Sequence, residues 1–253
     1  MLKTAVEAAR RAGQVIVDRY PAGHDVIIKG YRNIATEVDT AAETVILDLI
    51  RARFPDHAIL SEEAGGQGIG DGYTWIVDPL DGTTNYARRF PVFSVSIGLL
   101  QGREPLIGVI HDPLRDQTFV AERGNGAQLD GAPIRVSRVG RLDHALVSLD
   151  WGHSDEDRGR TLGALNRVAP RCGTVRALGS AALALAYVAA GWLEAYFNLM
   201  MKPWDAAAGI LLVAEAGGRC TTLEGTPYHV DHPGCLASNG LIHDELLNVI
   251  RDS

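Results

Sequence analysis

Between Tyr73 and Glu122 the chain offers four apolar, strand-like runs in succession, and this stretch limits the folds open to it more than any other. The runs are Tyr73 to Val77, Val92 to Leu100, Pro105 to His111 and Thr118 to Glu122, with turn residues between them. Asp78-Pro79 closes the first run, while Gly124-Asn125-Gly126 and Asp130-Gly131 mark hairpin turns beyond the last. The pattern predicts an antiparallel meander.

The flanks read differently. Leu2, Val6, Ala9, Ile16 and Tyr20 recur at helical spacing, and Pro21 is the expected stop. Val26 to Lys29 reads as a short strand. Thr36 to Arg53 reads as a second amphipathic helix, with Val38, Ala42, Val45, Leu49 and Ile50 on its apolar side and Pro55 beyond its end. Ala58 to Leu60 is a strand leading into Ser61-Glu62-Glu63, and Ala64 to Gly72 is a Gly-rich loop. After about Val139, strands such as Ala145 to Leu149 and Thr174 to Arg176 alternate with helices. Ser180 is the expected N-cap of Ala181 to Ala190, which Gly191 stops. Asp205 begins another helix, ended by Gly217-Gly218, and Asn239 precedes a last one from Leu241 to Arg251. The expectation is a mixed α/β chain in two halves, residues 1–140 and 141–253, with a site between them.

Composition narrows the function classes. Of 253 residues, 46% are hydrophobic and 22% charged, which argues against long disorder. A formal net charge of −7 gives no broad attraction for nucleic acid or an anionic membrane. It leaves a phosphorylated substrate open, because bound cations reverse the field locally. Cys172, Cys220 and Cys235 form no C-x-x-C and read as small buried hydrophobes in a reducing, cytoplasmic setting. Glu7, Arg10, Arg11 and Asp18 interrupt the first apolar pattern, unlike a signal peptide. The longest apolar run, Ala181 to Leu193, contains Gly191 and falls short of the roughly 20 residues a membrane span needs.

The chemistry concentrates in Trp75-Ile-Val-Asp78-Pro-Leu-Asp81-Gly-Thr-Thr-Asn85. An apolar strand ends in two carboxylates three residues apart, followed by Gly82 and two hydroxyl side chains. Asp78 and Asp81 can face one cation, and such oxygen ligands suit Mg²⁺. If Gly82-Thr83-Thr84 opens a helix, its free N–H groups form an anion site beside that cation. Taken alone, Asp-Pro-Leu-Asp-Gly is also an ordinary polar turn. Two further segments carry acids in similar settings. Glu62 and Glu63 follow an apolar strand, and Asp205 stands among small residues in Pro203-Trp-Asp-Ala-Ala-Ala-Gly209. His229 and His232, flanked by Pro227 and Pro233, read as surface-loop residues, and Trp204 as packing beside Asp205.

In this order, S-E-E, strand-D-P-L-D-G-T-T-N and P-W-D-A-A-A-G resemble the metal-dependent phosphatases of the inositol monophosphatase family. The resemblance extends to Lys29…Thr36-Glu-Val-Asp39, Gly124-x-Gly126-Ala127 and Gly179-Ser180-Ala181-Ala182, and covers roughly residues 1 to 250. It implies the layered αβαβα sandwich shared with fructose-1,6-bisphosphatase. It implies Mg²⁺, two or three ions per site, on Glu62, Asp78, Asp81, Asp205 and the Leu80 carbonyl, with Glu63 near a weaker third ion. Thr83 would hold the attacking water, backed by Asp39, with Glu62 as the other catalytic acid. Gly82, Thr83 and Thr84, with Asp81, would meet the phosphate, and Ala181, Asn198 and Asp205 the alcohol. Related enzymes are often lithium-sensitive homodimers.

Two positions depart from the family pattern. Asn33 stands where an Asp is common, outside the implied ligand set. Asn198 stands where many members carry a Glu that binds substrate hydroxyls, and Leu199, Met200 and Met201 follow it without the usual Gly. The substrate implied is a small phosphorylated polyol or sugar, with myo-inositol 1-phosphate first. Fructose 1,6-bisphosphate, histidinol phosphate and 3′-phosphoadenosine 5′-phosphate come behind it. The alternative of another class is a non-catalytic module that binds metal and a phosphorylated ligand, or a partner protein.

Overall fold

The computed structural model describes residues 1–20, 26–66 and 68–251, so the expected helix stop at Pro21 lies outside the described residues. Helix α1 (Leu2–Arg19) is followed by a hairpin of β1 (Val26–Gly30) and β2 (Asn33–Thr36). Next come α2 (Glu37–Arg53), β3 (Ala58–Ser61), β4 (Gly65–Gly66), β5 (Tyr73–Asp81) and the short α3 (Thr83–Ala87). The meander β6 (Ser94–Gln101), β7 (Glu104–Asp112), β8 (Gln117–Glu122), β9 (Ala127–Leu129) and β10 (Ala132–Pro133) then follows. Beyond it lie β11 (Leu146–Leu149), α4 (Asp155–Val168), β12 (Thr174–Ala177), α5 (Ala181–Ala189) and β13 (Ala195–Asn198). The chain closes with α6 (Pro203–Glu215), β14 (Arg219–Thr221), β15 (Cys235–Ser238) and α7 (His243–Arg251).

These elements stack in five layers. An eight-stranded sheet, β10-β9-β8-β7-β6-β5-β3-β4, carries α1 and α2 on one face and α5 and α6 on the other. The second sheet, β12-β11-β13-β15-β14, packs on the far side of α5 and α6 and is covered in turn by α4 and α7. The order is therefore αβαβα, as the resemblance implied. The expected meander is present, with β5 through β10 antiparallel throughout.

The middle helices sandwiched between two sheets must be apolar all round. In α5 every residue from Ala181 to Ala186 is buried, and in α6 every residue from Ala206 to Val213. Ile76 and Phe119 of the first sheet, Leu183 and Leu212 of the helices, and Tyr196 of the second form one contiguous buried cluster. Outer helices follow the opposite rule. In α1 only one stripe, including Ala5, Ala9, Ala12 and Ile16, is buried against the sheet.

Several boundaries differ from the pattern-based expectation. Strand β5 does not stop at Asp78-Pro79 but runs to Asp81, because its last residues still pair with β6. Ser94 begins β6, two residues later than expected, and Gly65–Gly66 form a two-residue strand inside the expected loop. Helix α6 begins at Pro203, so Asp205 is its third residue rather than its start. Proline at the first helical position costs no hydrogen bond, which fixes that start. The Asn239 side chain accepts from Leu241 and Ile242 and delays α7 to His243. Cys235 is buried as expected, whereas Cys172 and Cys220 are only partly so.

Candidate active site

The two carboxylates of Asp78-Pro-Leu-Asp81 would point to opposite faces of a regular strand, because they are an odd number of residues apart. A bulge reverses this. Asp78 pairs with Ser96 and Asp81 with Ser94, so three steps along β5 oppose two along β6. Both acids thereby reach the same cleft, and both are almost fully buried. Asp78 Oδ1 accepts from the Leu80 N–H at 3.0 Å, which tightens the bulge.

Gly82 follows in the left-handed region, with φ of 89°. A Cβ there would stand 3.0 Å from the Val92 carbonyl oxygen and 3.1 Å from that of Gly179. Both conformation and space therefore demand glycine at the turn into α3. Thr83 and Thr84 then open α3, as the sequence suggested, with their N–H groups at its free end.

Asp39 lies beneath this turn, wholly buried in the first turn of α2. Its Oδ2 accepts from the Thr36 N–H at 2.8 Å and the Thr36 hydroxyl at 2.7 Å. Its Oδ1 faces the Thr83 hydroxyl at 2.9 Å. That hydroxyl also lies 3.0 Å from the Leu80 carbonyl, and its single proton serves one of the two at a time. Burial raises the Asp39 pKa, and the threonine bonds oppose the rise.

Glu62 and Glu63 sit on a turn after β3, held by a residue the sequence reading missed. Buried Glu43 of α2 accepts from the Ser61 hydroxyl, from the Glu63 N–H at 3.2 Å and from the Ala64 N–H at 2.9 Å. A glutamate beside the apolar stripe of an otherwise ordinary amphipathic helix was the signal. Lys29 of β1 reaches across to both acids, lying 3.1 Å from Glu62 Oε1 and hydrogen-bonded to Glu63. Burial works against the Lys29 ammonium, but the bonds to Glu63 and Glu62 outweigh it and raise its pKa.

Asp205 arrives from the other half of the chain on α6. The close approach of that helix depends on small residues. A Cβ on Gly98 would stand 2.7 Å from that of Ala207, and one on Gly108 would stand 2.5 Å from the Ala208 carbonyl oxygen. The Ala-Ala-Ala run after Asp205 thus lies directly on β6 and β7. Asp205 Oδ2 accepts from the Lys202 N–H at 2.7 Å, and burial pushes its carboxyl up to about 8.

Helix α5 completes the frame. Ser180 caps it, and Asp81 accepts from the Ser180 hydroxyl, the Ala181 N–H at 3.1 Å and the Ala182 N–H at 3.2 Å. A carboxylate at a helix N-terminus is favoured by the peptide dipoles. Burial still raises Asp81 to about 6, against those hydrogen bonds. The Asp78 carboxyl is likewise held well above the usual carboxylate range, by burial first and then by the charges of Glu62, Asp81, Asp205 and Asp39.

Eight of the expected residues line one cleft of about 240 Å³: Glu62, Asp78, Leu80, Asp81, Gly82, Thr83, Thr84 and Asp205. Asp39 lies below it, and Glu63 lies behind Glu62 on Lys29. Ala181 and Asn198 face an adjoining compartment of about 390 Å³, which Asp205 and Thr84 also line. The Asn198 side chain is occupied at both ends, donating to the Tyr196 hydroxyl at 3.0 Å and accepting from the Met200 N–H at 2.9 Å. Asp150, which the sequence reading passed over, accepts from the Gly179 N–H and the Tyr196 hydroxyl, and burial raises it to about 7. Among the described residues, no three His, Cys, Asp or Glu side chains stand ready to hold a metal. Glu62 is instead turned to the Lys29 ammonium, Asp205 to the Lys202 backbone N–H, Asp78 to the Leu80 N–H and Asp81 to the α5 N-terminus. The chemistry of the set nonetheless fits a hard divalent cation: every donor is oxygen, and the mutual repulsion of the buried acids is what a cation would relieve.

A profile of the inositol monophosphatase family matches residues 1–253. The chain belongs to the inositol monophosphatase family. Among relatives, the Nus factor SuhB of Escherichia coli is 39% identical over 257 residues, covering 100% of this chain and 96% of that protein. The inositol-1-monophosphatase of a Synechocystis species is 40% identical, covering 97% and 86%. Among solved structures, a Thermotoga maritima IMPase superposes with a TM-score of 0.91 at 36% identity, over 98% of this chain and 96% of the other. The family thus includes relatives named for a phosphatase activity and relatives named as Nus factors. No helix among the described residues is long and apolar enough to cross a membrane.

Proposed function

We propose that this chain hydrolyses a small phosphate monoester with the help of Mg²⁺, with myo-inositol 1-phosphate as the leading substrate. The observation that carries the reading is the convergence of Glu62, Asp78, Asp81 and Asp205 on one cleft beside the Gly82–Thr84 turn. These four acids and the Leu80 carbonyl would hold two or three ions, with Glu63 near the weakest. Bound there, such ions lower the pKa of a water and offset the negative charge of the phosphoryl group.

The chain's own residues do the rest. The Gly82, Thr83 and Thr84 N–H groups receive the phosphate. Thr83, donating to Asp39, turns its lone pairs to a water and orients it for in-line attack. Glu62 accepts hydrogen from that water and steers its proton. The water oxygen bonds to phosphorus and the ester P–O bond breaks. One water proton ends on the departing alcohol and the other on the phosphate, so no protein nucleophile takes part. The alcohol leaves past Asp205 into the compartment lined by Ala181 and Asn198.

A kinetic panel with Mg²⁺ tests the reading: inositol 1-phosphate, fructose 1,6-bisphosphate, histidinol phosphate and 3′-phosphoadenosine 5′-phosphate. Release from at least one, strongest for inositol 1-phosphate, is expected. No release from any of them contradicts it.

Relatives named Nus factor support a second reading, a protein-binding module that keeps the cleft. That role would survive Asp81→Asn, whereas hydrolysis would not. We carry the homodimer and the cytoplasmic setting as part of the same proposal, the dimer to be read by sedimentation.

A further inference from the structure

We infer that the compartment beside Asp205 binds a second anionic group on the substrate's alcohol, and that Arg158 takes it. The inference rests on the phosphatase reading and extends it, beside inositol 1-phosphate, to acyclic and sugar alcohols that carry an additional phosphate or carboxylate.

Arg158 is half-buried in the first turn of α4 and lines the outer compartment. Its Nε donates to the Gly152 carbonyl at 3.0 Å, which fixes the plane of the guanidinium. The two terminal nitrogens have no partner among the described residues. This is not for want of acids, since Asp155, Glu156 and Asp157 share the same turn. Asp155 is engaged by Arg32 at 2.7 Å and Asp157 by the Ser154 hydroxyl at 2.6 Å. A cation in the first turn also gains nothing from its own helix, whose free N–H groups favour negative charge. Arg158 is thus a positioned fork with two open donor sites on a cavity wall, and a planar fork suits phosphate or carboxylate.

The cavity itself fits an extended alcohol. At about 390 Å³ it lies within the usual range of small-molecule sites, roughly 300–1,000 Å³. Thr84, Gly179 and Asp205 line both it and the inner cleft, so a substrate seated at the Gly82–Thr84 turn continues directly into it. Phe90 and Trp151 present exposed apolar faces there, against which a carbon skeleton can lie. Arg32 also borders the cavity but already shares its charge with Asp155 at 2.7 Å, so Arg158 is the guanidinium there without an acidic partner among the described residues.

The test compares three esters with Mg²⁺. Sorbitol 6-phosphate has no second anion, fructose 1,6-bisphosphate adds a phosphate, and 6-phosphogluconate adds a carboxylate. Wild-type kcat/KM is expected to be at least tenfold higher for one of the doubly anionic esters than for sorbitol 6-phosphate. Arg158→Gln should erase that ratio, chiefly through KM, and Arg158→Lys should keep part of it. A merely structural Arg158 would lower kcat/KM for all three esters equally, and that outcome overturns the inference, as does the absence of any preference in wild type. Calorimetric binding of the same esters to Glu62→Gln separates this from the phosphatase reading. Selective binding of a doubly anionic ester, weakened tenfold by adding Arg158→Gln, without turnover in wild type, would contradict hydrolysis and leave the subsite standing. Equal binding of all three would remove the subsite.

Discussion

Single residues decide whether the cleft can act. Thr83→Ala removes the hydroxyl that Asp39 orients, while the buried Asp39 keeps its Thr36 partners and the fold. General acid–base and positioning groups contribute about 10²–10⁴-fold, so kcat should fall in that range with KM little changed. Stopped assays of phosphate release measure it. Asn198→Glu should change KM for polyol phosphates more than activity toward a generic ester, and equal effects on both would remove Asn198 from the pocket. Asp150 gives a pH prediction that needs no substrate. Its carboxyl titrates near 3.8 when unfolded and about 7 when folded, so the folded state holds the proton over that interval. Stability from this group is full below about pH 4 and is lost as pH rises to 7. Asp150→Asn keeps an acceptor for Gly179 and a partner for Tyr196 without the titration. Its Tm relative to wild type should therefore climb between pH 4 and 7 and level off above. A constant difference across that range would refute the assignment.

At the scale of elements, glycine and alanine set the distances. Helix α6 delivers Asp205 only because Gly98 and Gly108 let Ala207 and Ala208 touch the sheet. Gly108→Ala places a methyl against α6 backbone and should cost about 1–3 kcal/mol by overpacking. In a chain of this size that corresponds to a Tm loss of roughly 2–12 °C, and metal affinity should weaken with it. Retained stability and affinity would show that α6 is free to move.

The same elements explain what could be read in advance. Helices α1, α2, α5 and α6 and the meander follow from periodicity, because their burial is one-sided or complete and the pattern says which. The bulge at Asp78–Asp81 was not legible. Asp-Pro-Leu-Asp-Gly satisfies turn chemistry equally well, and only pairing with Ser94 and Ser96 distinguishes the two. The strands β13, β14 and β15 were passed over because runs of three or four residues carry no period of their own. Family resemblance, rather than spacing, supplied the roles of Glu62 and Asp205. Nothing local signalled Asp150 as part of the frame, and the sign that Glu43 gave, an acid beside an apolar stripe, does not say what it holds.

For the whole molecule, the first sheet and α6 bring acids from residues 62 to 205 to one cleft, at an electrostatic cost visible in the raised carboxyls of Asp78, Asp81 and Asp205. A divalent cation should relieve that cost and stabilise the fold by mass action, about 2.7 kcal/mol per site at 100 times Kd. Thermal melts should therefore shift upward with Mg²⁺ and return with chelator. The most direct measurement is phosphate release from inositol 1-phosphate by the purified chain, with Mg²⁺ and then with excess chelator, for wild type and Asp81→Asn. Release that needs the metal and vanishes in the variant is the predicted result. Release that persists in Asp81→Asn, or that ignores the chelator, would contradict the account.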